Sequence, residues 1–376
     1  MSLYVDLQGK IQESDAEEAI EILQSIWEQG IDMANLTACF VKPASASLQL
    51  RFDTPHAMIC LDSLLQLLRL IPTNDHPYFL QAFVRYLSGL PRLSLDFKET
   101  EKIGTLGLKH PKRGYVRSLL EHKVNNAFYY ALRIVEEEGL ESFLHQCLEI
   151  AVHEVDFLGH VFIYTHTLGR LCRMVEPKQA KPLIFQLTEF LARRARVEPD
   201  SLQKEGREVD SLIPMALERI NILGHNAIFA HKINQAVDYL EGRYIAHLCF
   251  QLVRNVETSP DRFSRDDMEE MLGGTKDEAK DPLGALRKSL ARGNDGQSIS
   301  YCCRYLEDFG LTGELFSTLA KSLAAKDPAQ PHYLIFPQAV FDLAQLVDQP
   351  QVELALARVI RMICGHDSNH SRHLAS

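Results

Sequence analysis

The sequence predicts an all-α protein, a multi-helix bundle or array with irregular internal helical repeats, and three observations carry that prediction. Apolar residues recur at three- and four-residue spacing through almost every non-polar stretch, which is the pattern of a helix burying one face. Strand-like alternation is scarce, with Ser45 to Phe52 the best candidate. A short pattern, Leu-Gly-His-x-x-Ile-x-x-His, occurs twice, at 158–166 and again at 223–231, each time inside a long apolar helical stretch.

Taken in order, an N-terminal helical region, 1–112, carries the capping signal Ser14-Asp15-Ala16-Glu17 ahead of a helix over 16–29. Helices over 57–70 and 78–87 follow, and the polar, Gly- and Pro-bearing stretch 91–112 closes the region. The central region, 113–257, reads as helices over 115–138, 140–173, 181–194, 212–239 and 244–256, interrupted by a charged break at 197–210. Residues 258–298 form a polar excursion with a short helix over 282–291. C-terminal helices occupy 299–364, among them 299–309, 312–325 and 337–348. The tail, 365–376, lacks apolar residues until Leu374 and is expected to be disordered.

Composition excludes some classes of function. The formal net charge of −10 and a pI of about 5.8 leave no basic stripe for nucleic acid. Arg193, Arg194 and Arg196 follow an apolar helical run and suit a helix C-terminus. No stretch approaches a membrane span, and the first residues lack the basic and apolar regions of a signal peptide. Most of the eight cysteines sit in apolar runs, none forms a CxxC, and Cys302 and Cys303 are adjacent. A reduced, soluble, cytoplasmic protein is expected. There is no P-loop, no GxGxxG, no HExxH and no GxSxG.

The histidines carry the functional lead. Glycine inside a helix costs about 1 kcal/mol relative to alanine, so Gly159-His160 and Gly224-His225 point to a task for the imidazoles. His56, His122, His160, His225 and His332 each open or lie within an apolar helical run, and four of the five have Ile three residues on. Imidazole is the commonest metal ligand among side chains, and helix bundles build metal sites from ligands on facing helices. These five are the candidate metal ligands. His160 and His166 lie about 240° apart around a helix, as do His225 and His231, so each copy of the pattern supplies one ligand to a given site. Asp156 and Asn221, four residues before His160 and His225, could orient those imidazoles or complete the coordination, and Asn125 and Asn126 stand one turn after His122. His76, His110, His145 and His247 read as ordinary histidines. Phe128, Tyr129, Tyr130, Phe157, Phe162 and Tyr164 read as core that could also wall a pocket for a flat aromatic molecule.

Residues 119–132, Leu-Leu-Glu-His-Lys-Val-Asn-Asn-Ala-Phe-Tyr-Tyr-Ala-Leu, resemble the His-rich helix of questin oxidase-like proteins. Residues 158–164, Leu-Gly-His-Val-Phe-Ile-Tyr, resemble a second helix of that family, and Thr54-Pro55-His56-Ala57-Met58-Ile59 is similar to a third. The resemblance covers the helices around positions 56, 122, 160, 225 and 332. It implies a mostly helical fold holding non-haem iron on His122, His160, His225 and His332, with His56 in reserve. It also implies an oxygenase or oxidoreductase acting on an aromatic or quinone-like small molecule, and a carboxylated lysine as a further ligand, for which Lys232 and Lys321 are the candidates. Phe336-Pro337 stands where such a lysine would follow His332, which departs from the family pattern. The chain has no Rieske cysteine–histidine set of its own. Besides a small aromatic substrate, an electron-donor protein or a second copy of the chain could serve as partner.

Several neutral imidazoles suit zinc or another divalent metal as well as iron. Two readings compete with the metalloenzyme. A helical-repeat interaction scaffold fits the helix pairs, but the intervals between the histidines, 66, 38, 65 and 107 residues, are far from the near-fixed period of a solenoid. A haem protein would use His160 or His225 as axial ligand. No general base or other catalytic residue can be named.

Overall fold

A computed structural model of the chain describes residues 3–47, 55–91, 110–154, 158–194, 202, 208–260, 262–273, 279–327 and 329–365. Among the described residues the protein is all-α. The helices are α1 (Leu3–Gln12), α2 (Ala16–Glu28), α3 (Met33–Ala46), α4 (His56–Leu70), α5 (His76–Ser88), α6 (Pro111–Leu120), α7 (Val124–Glu138), α8 (Leu140–His153), α9 (His160–Met174) and α10 (Pro177–Arg194). They continue as α11 (Val209–Glu218), α12 (His225–Ala236), α13 (Gly242–Thr258), α14 (Arg265–Leu272), α15 (Pro282–Ala291), α16 (Asp295–Phe309), α17 (Gly313–Ala324), α18 (His332–Ala344) and α19 (Gln349–Cys364). None of them is long and apolar enough to cross a membrane.

Local chemistry sets many of the helix starts. Asp15, Asp32, Asp281, Asn294, Thr312 and Asp348 each accept a hydrogen bond from a first-turn backbone N–H, which satisfies donors that a helix leaves open at its N-terminus. Ser264 and Asp267 form a reciprocal capping box on α14. Gly139, at φ 92°, turns the chain from α7 into α8, and Gly365, at φ 90°, ends α19.

The chain forms two compact units. The first comprises Met1–Asp62, Val84–Glu205 and Ala236–Leu248. Its hub is α10, which packs on α3, α6, α7, α8 and α9 through Leu183, Ile184, Leu187, Phe190 and Leu191. Each such side chain contributes roughly 1.5–3 kcal/mol on full burial. The second unit comprises Ser63–Phe83, Gly206–Gln235 and Cys249–Ser376. Its hub is α19, which packs on α11 and on α14 to α18. Every residue from Leu354 to Ile360 is buried, including Arg358, whose guanidinium lies 5.6 Å from the centre of the Phe263 ring.

Several expected helices are divided. The helix expected over 115–138 is α6 and α7, broken where His122 adopts φ 55°. The one over 140–173 is α8 and α9, broken before Gly159, and the one over 212–239 is α11 and α12, broken at Asn221 to Gly224. Hydrophobic periodicity continues across these breaks, and a residue in the left-handed region interrupts a helix without interrupting the apolar pattern. Ser45 and Ala46, the start of the strand candidate, close α3 instead, and the rest of that segment beyond Ser47 lies outside the described residues. The excursion 258–298 contains α14 as well as α15, and α18 begins at His332, five residues ahead of the expected start at Pro337. The C-terminal tail beyond Gly365 lies outside the described residues, as does most of 197–210. All eight cysteines are free thiols, and burial pushes Cys39 and Cys172 up to about 12.

Candidate metal centre

Four of the five candidate histidines occupy the same position in their helices. His56, His160, His225 and His332 are the first residues of α4, α9, α12 and α18. Each follows a residue suited to a helix boundary, namely Pro55, Gly159, Gly224 and Pro331. Gly159 has φ 76° and Gly224 has φ 85°, a region that L side chains rarely enter. The repeated Leu-Gly-His is therefore a turn that launches a helix, and the glycine carries no helix-interior cost. A Cβ on Gly224 would meet Cδ2 of Phe336 at 2.0 Å, so the same glycine also lets α18 approach.

The turn ahead of α12 is built around the imidazole it presents. Asn221, at φ 60° and 3% exposed, accepts a hydrogen bond from the Ile222 N–H through Oδ1 at 2.8 Å. The Ile222 carbonyl in turn accepts from Nδ1 of His225. Asn221, expected to orient His225 from one helical turn away, acts instead from a non-helical turn and through the Ile222 peptide. His332 is fixed likewise: its Nδ1 donates to Oε1 of Gln330 at 3.1 Å. Both rings thus carry their proton on Nδ1 and keep the lone pair on Nε2. The two Nε2 atoms stand 3.3 Å apart. Burial pushes His225 down to about 4, which disfavours a shared proton as the link, while the Ile222 carbonyl acts in the opposite sense. Two lone pairs converging at that distance fit a metal ion: nitrogens bound tetrahedrally at about 2.0–2.1 Å stand roughly 3.3–3.4 Å apart.

His56 and His160 form the other pair. Their rings meet edge to face with centroids 5.4 Å apart. His56 is buried and His160 half-buried. Each of the four histidines offers one imidazole nitrogen, and these nitrogens all lie within 4.8 Å of one another. The group could hold a metal ion.

His122 is not one of the four. It is exposed in the turn between α6 and α7, where its Nδ1 donates to the Ala192 carbonyl at 2.6 Å. The second histidine of each repeat is also elsewhere: His166 lies buried against Phe162 and Tyr239, and Nε2 of His231 meets Asp342 at 2.8 Å. Lys232 is 1% exposed on α12, with Nζ 3.5 Å from Oε1 of Gln235. Lys321 is ion-paired with Asp75. Asp156 and Phe157 lie outside the described residues. Asn125 is exposed and Asn126 half-buried. Of the expected pocket aromatics, Tyr130, Phe162 and Tyr164 are core, and Phe128 and Tyr129 are half-buried.

Two features went unread in the sequence. Gln330, two residues before His332, has no periodic signal, yet it sets the tautomer of that imidazole. His145, read as ordinary, joins Glu149 and Glu241 in a second, partly exposed group with the ligand types of a metal site; its signal was His-x-x-x-Glu on one helix face. There Tyr244 donates to Glu149 at 2.8 Å and Arg243 pairs with Glu241 at 2.9 Å. No protein-family model matches the chain, and no curated protein and no solved structure matches it either.

Proposed function

We propose that this protein is a non-haem metalloenzyme, with iron as the first choice of metal, that oxidises or oxygenates an aromatic or quinone-like small molecule. The observation that carries the reading is the set of four imidazole nitrogens within 4.8 Å of one another. The likeness of residues 119–132 and 158–164 to the His-rich helices of questin oxidase-like proteins directs it toward iron and dioxygen. Zinc, on the same ligands, would redirect the chemistry to hydrolysis or to structure. His56, His160, His225 and His332 would hold a ferrous ion, which when bound would supply redox chemistry with dioxygen toward an electron-rich aromatic.

The chain's own residues have separate tasks in this reading. Ile222 and Gln330 hold protons on Nδ1 of His225 and His332, so both present Nε2. Pro55, Gly159, Gly224 and Pro331 start the helices at the ligands. Burial of His56, His225 and His332 keeps bulk water from them. Electrons beyond those of the substrate would come from a donor protein.

Elemental analysis of tag-free protein tests the proposal on wild type and on His160→Ala with His225→Ala. Near one equivalent of iron in the wild type, lost in the double variant, is the expected result. No metal in the wild type, even after reconstitution under reducing conditions, would overturn the enzyme reading and leave a helical interaction scaffold.

A further inference from the structure

Each pair of ligand histidines comes with a second polar bridge, and the two bridges follow one plan. In the first unit, Nε of Arg170 on α9 donates to Oδ1 of Asp62 on α4 at 3.0 Å, and the Asp62 side chain is fully buried. In the second unit, Nε2 of His231 on α12 meets Oδ2 of Asp342 on α18 at 2.8 Å, and Gln338 donates to the same oxygen at 2.6 Å. Counted from the ligand as residue one of its helix, Asp62 and His231 are residue seven, and Arg170 and Asp342 are residue eleven. Both bridges therefore join position seven of one ligand-bearing helix to position eleven of the other. In both units the helix whose ligand follows proline carries the aspartate, and the helix whose ligand follows glycine carries the base.

From this shared plan we infer that Asp62 with Arg170, and Asp342 with His231, are positioning pairs that set the spacing of the ligand imidazoles. Each bridge has one side chain buried and the other about a quarter exposed, and since desolvation offsets the attraction in such polar contacts, their best-attested contribution is register. At 1.5 Å per residue the bridges lie about 9 Å and about 15 Å along the helices from the ligands. They fix the rotation and the slide of one helix against the other, and so the place of each first residue. The two bridges thus use one device, with the acid and the base exchanged between positions seven and eleven. The inference rests on the metal-binding reading above.

The test uses the full-length chain and Co(II) as probe, with titrated affinity and the visible ligand-field band as readouts beside the thermal midpoint of the metal-free protein. Two double variants replace the bridges with apolar side chains: Asp62→Leu with Arg170→Met, and His231→Leu with Asp342→Leu. Each is expected to keep or raise the thermal midpoint, to bind Co(II) at least about tenfold more weakly, and to show an altered band. Asp342→Asn, which keeps an oxygen for His231 and Gln338, is expected to stay within about threefold of wild type, well short of the loss a removed supporting group causes. Wild-type affinity and band in both double variants would overturn the inference while leaving the metal site standing. A wild type that shows no Co(II) band would overturn the metal reading and this inference together. Should a double variant not fold, Arg170→Gln and Asp342→Ala decide by the same readouts, and unchanged binding in both overturns the inference.

Discussion

An imidazole binds a metal only through a lone pair, so at the scale of single residues the question is which nitrogen keeps one. For His225 and His332 the answer comes from oxygens that the chain sets beside Nδ1, the Ile222 carbonyl and Gln330 Oε1. His122 shows why residue type and local pattern do not suffice. It shares the His-then-apolar signal with the other four, yet its own φ of 55° breaks the helix at that point and leaves the ring on the surface. Histidines outside the centre give a separate prediction. Burial, and then His153 beside it, hold the His247 imidazole below its ordinary value. The folded protein takes up that proton less readily than the unfolded chain. The associated stability is fully present above about pH 6.5, the ordinary value, and is lost as the pH falls through the window down to the lower folded value. Urea midpoints are expected to drop between about pH 7.5 and about pH 5, on either side of that window, and to drop less in His247→Gln. An equal drop in both proteins would assign the effect to other groups.

At the scale of elements, the centre is made by helix starts. Asn221, Leu223 and Gly224 all have positive φ, at 60°, 53° and 85°, so the chain ahead of α12 is wound against its preference to deliver His225 at the first helical position. Only Gly224 of the three is free of a Cβ, and it is the one that Phe336 faces. Gly224→Ala would add strain of about 1–2 kcal/mol from the left-handed backbone and about 1–3 kcal/mol from overpacking on Phe336. A loss of roughly 2–5 kcal/mol in chemical unfolding is the expected outcome, with weaker metal binding. Wild-type stability in that variant would mean that the turn can rearrange freely. The two Leu-Gly-His repeats were legible as a signal, but their meaning was not. Periodicity runs straight through 212–239 and 140–173, because the breaks turn the backbone without replacing any apolar residue.

At the scale of the whole molecule, metal binding and folding are linked. An ion that binds the folded chain and not the unfolded one stabilises it by about 2.7 kcal/mol at a hundredfold excess over its Kd. Zinc or Fe(II) added to the apo-protein is expected to raise the thermal midpoint, and to leave that of a His225→Ala, His332→Ala variant unmoved. A midpoint that ignores the metal in the wild type would count against the centre. The sequence by itself determined the all-α class, through apolar spacing that acts over three and four residues. It also singled out five histidines, His56, His122, His160, His225 and His332, since each opens or lies within an apolar run that such spacing reveals. Only the tertiary structure decided that four of these come together while His122 does not, and that Asp62 meets Arg170 and His231 meets Asp342. His225 and His332 are 107 residues apart, and Asp62 and Arg170 are 108. Contacts over such intervals come from the packing of whole helices, and no periodicity within one helix encodes which partner lies across from it.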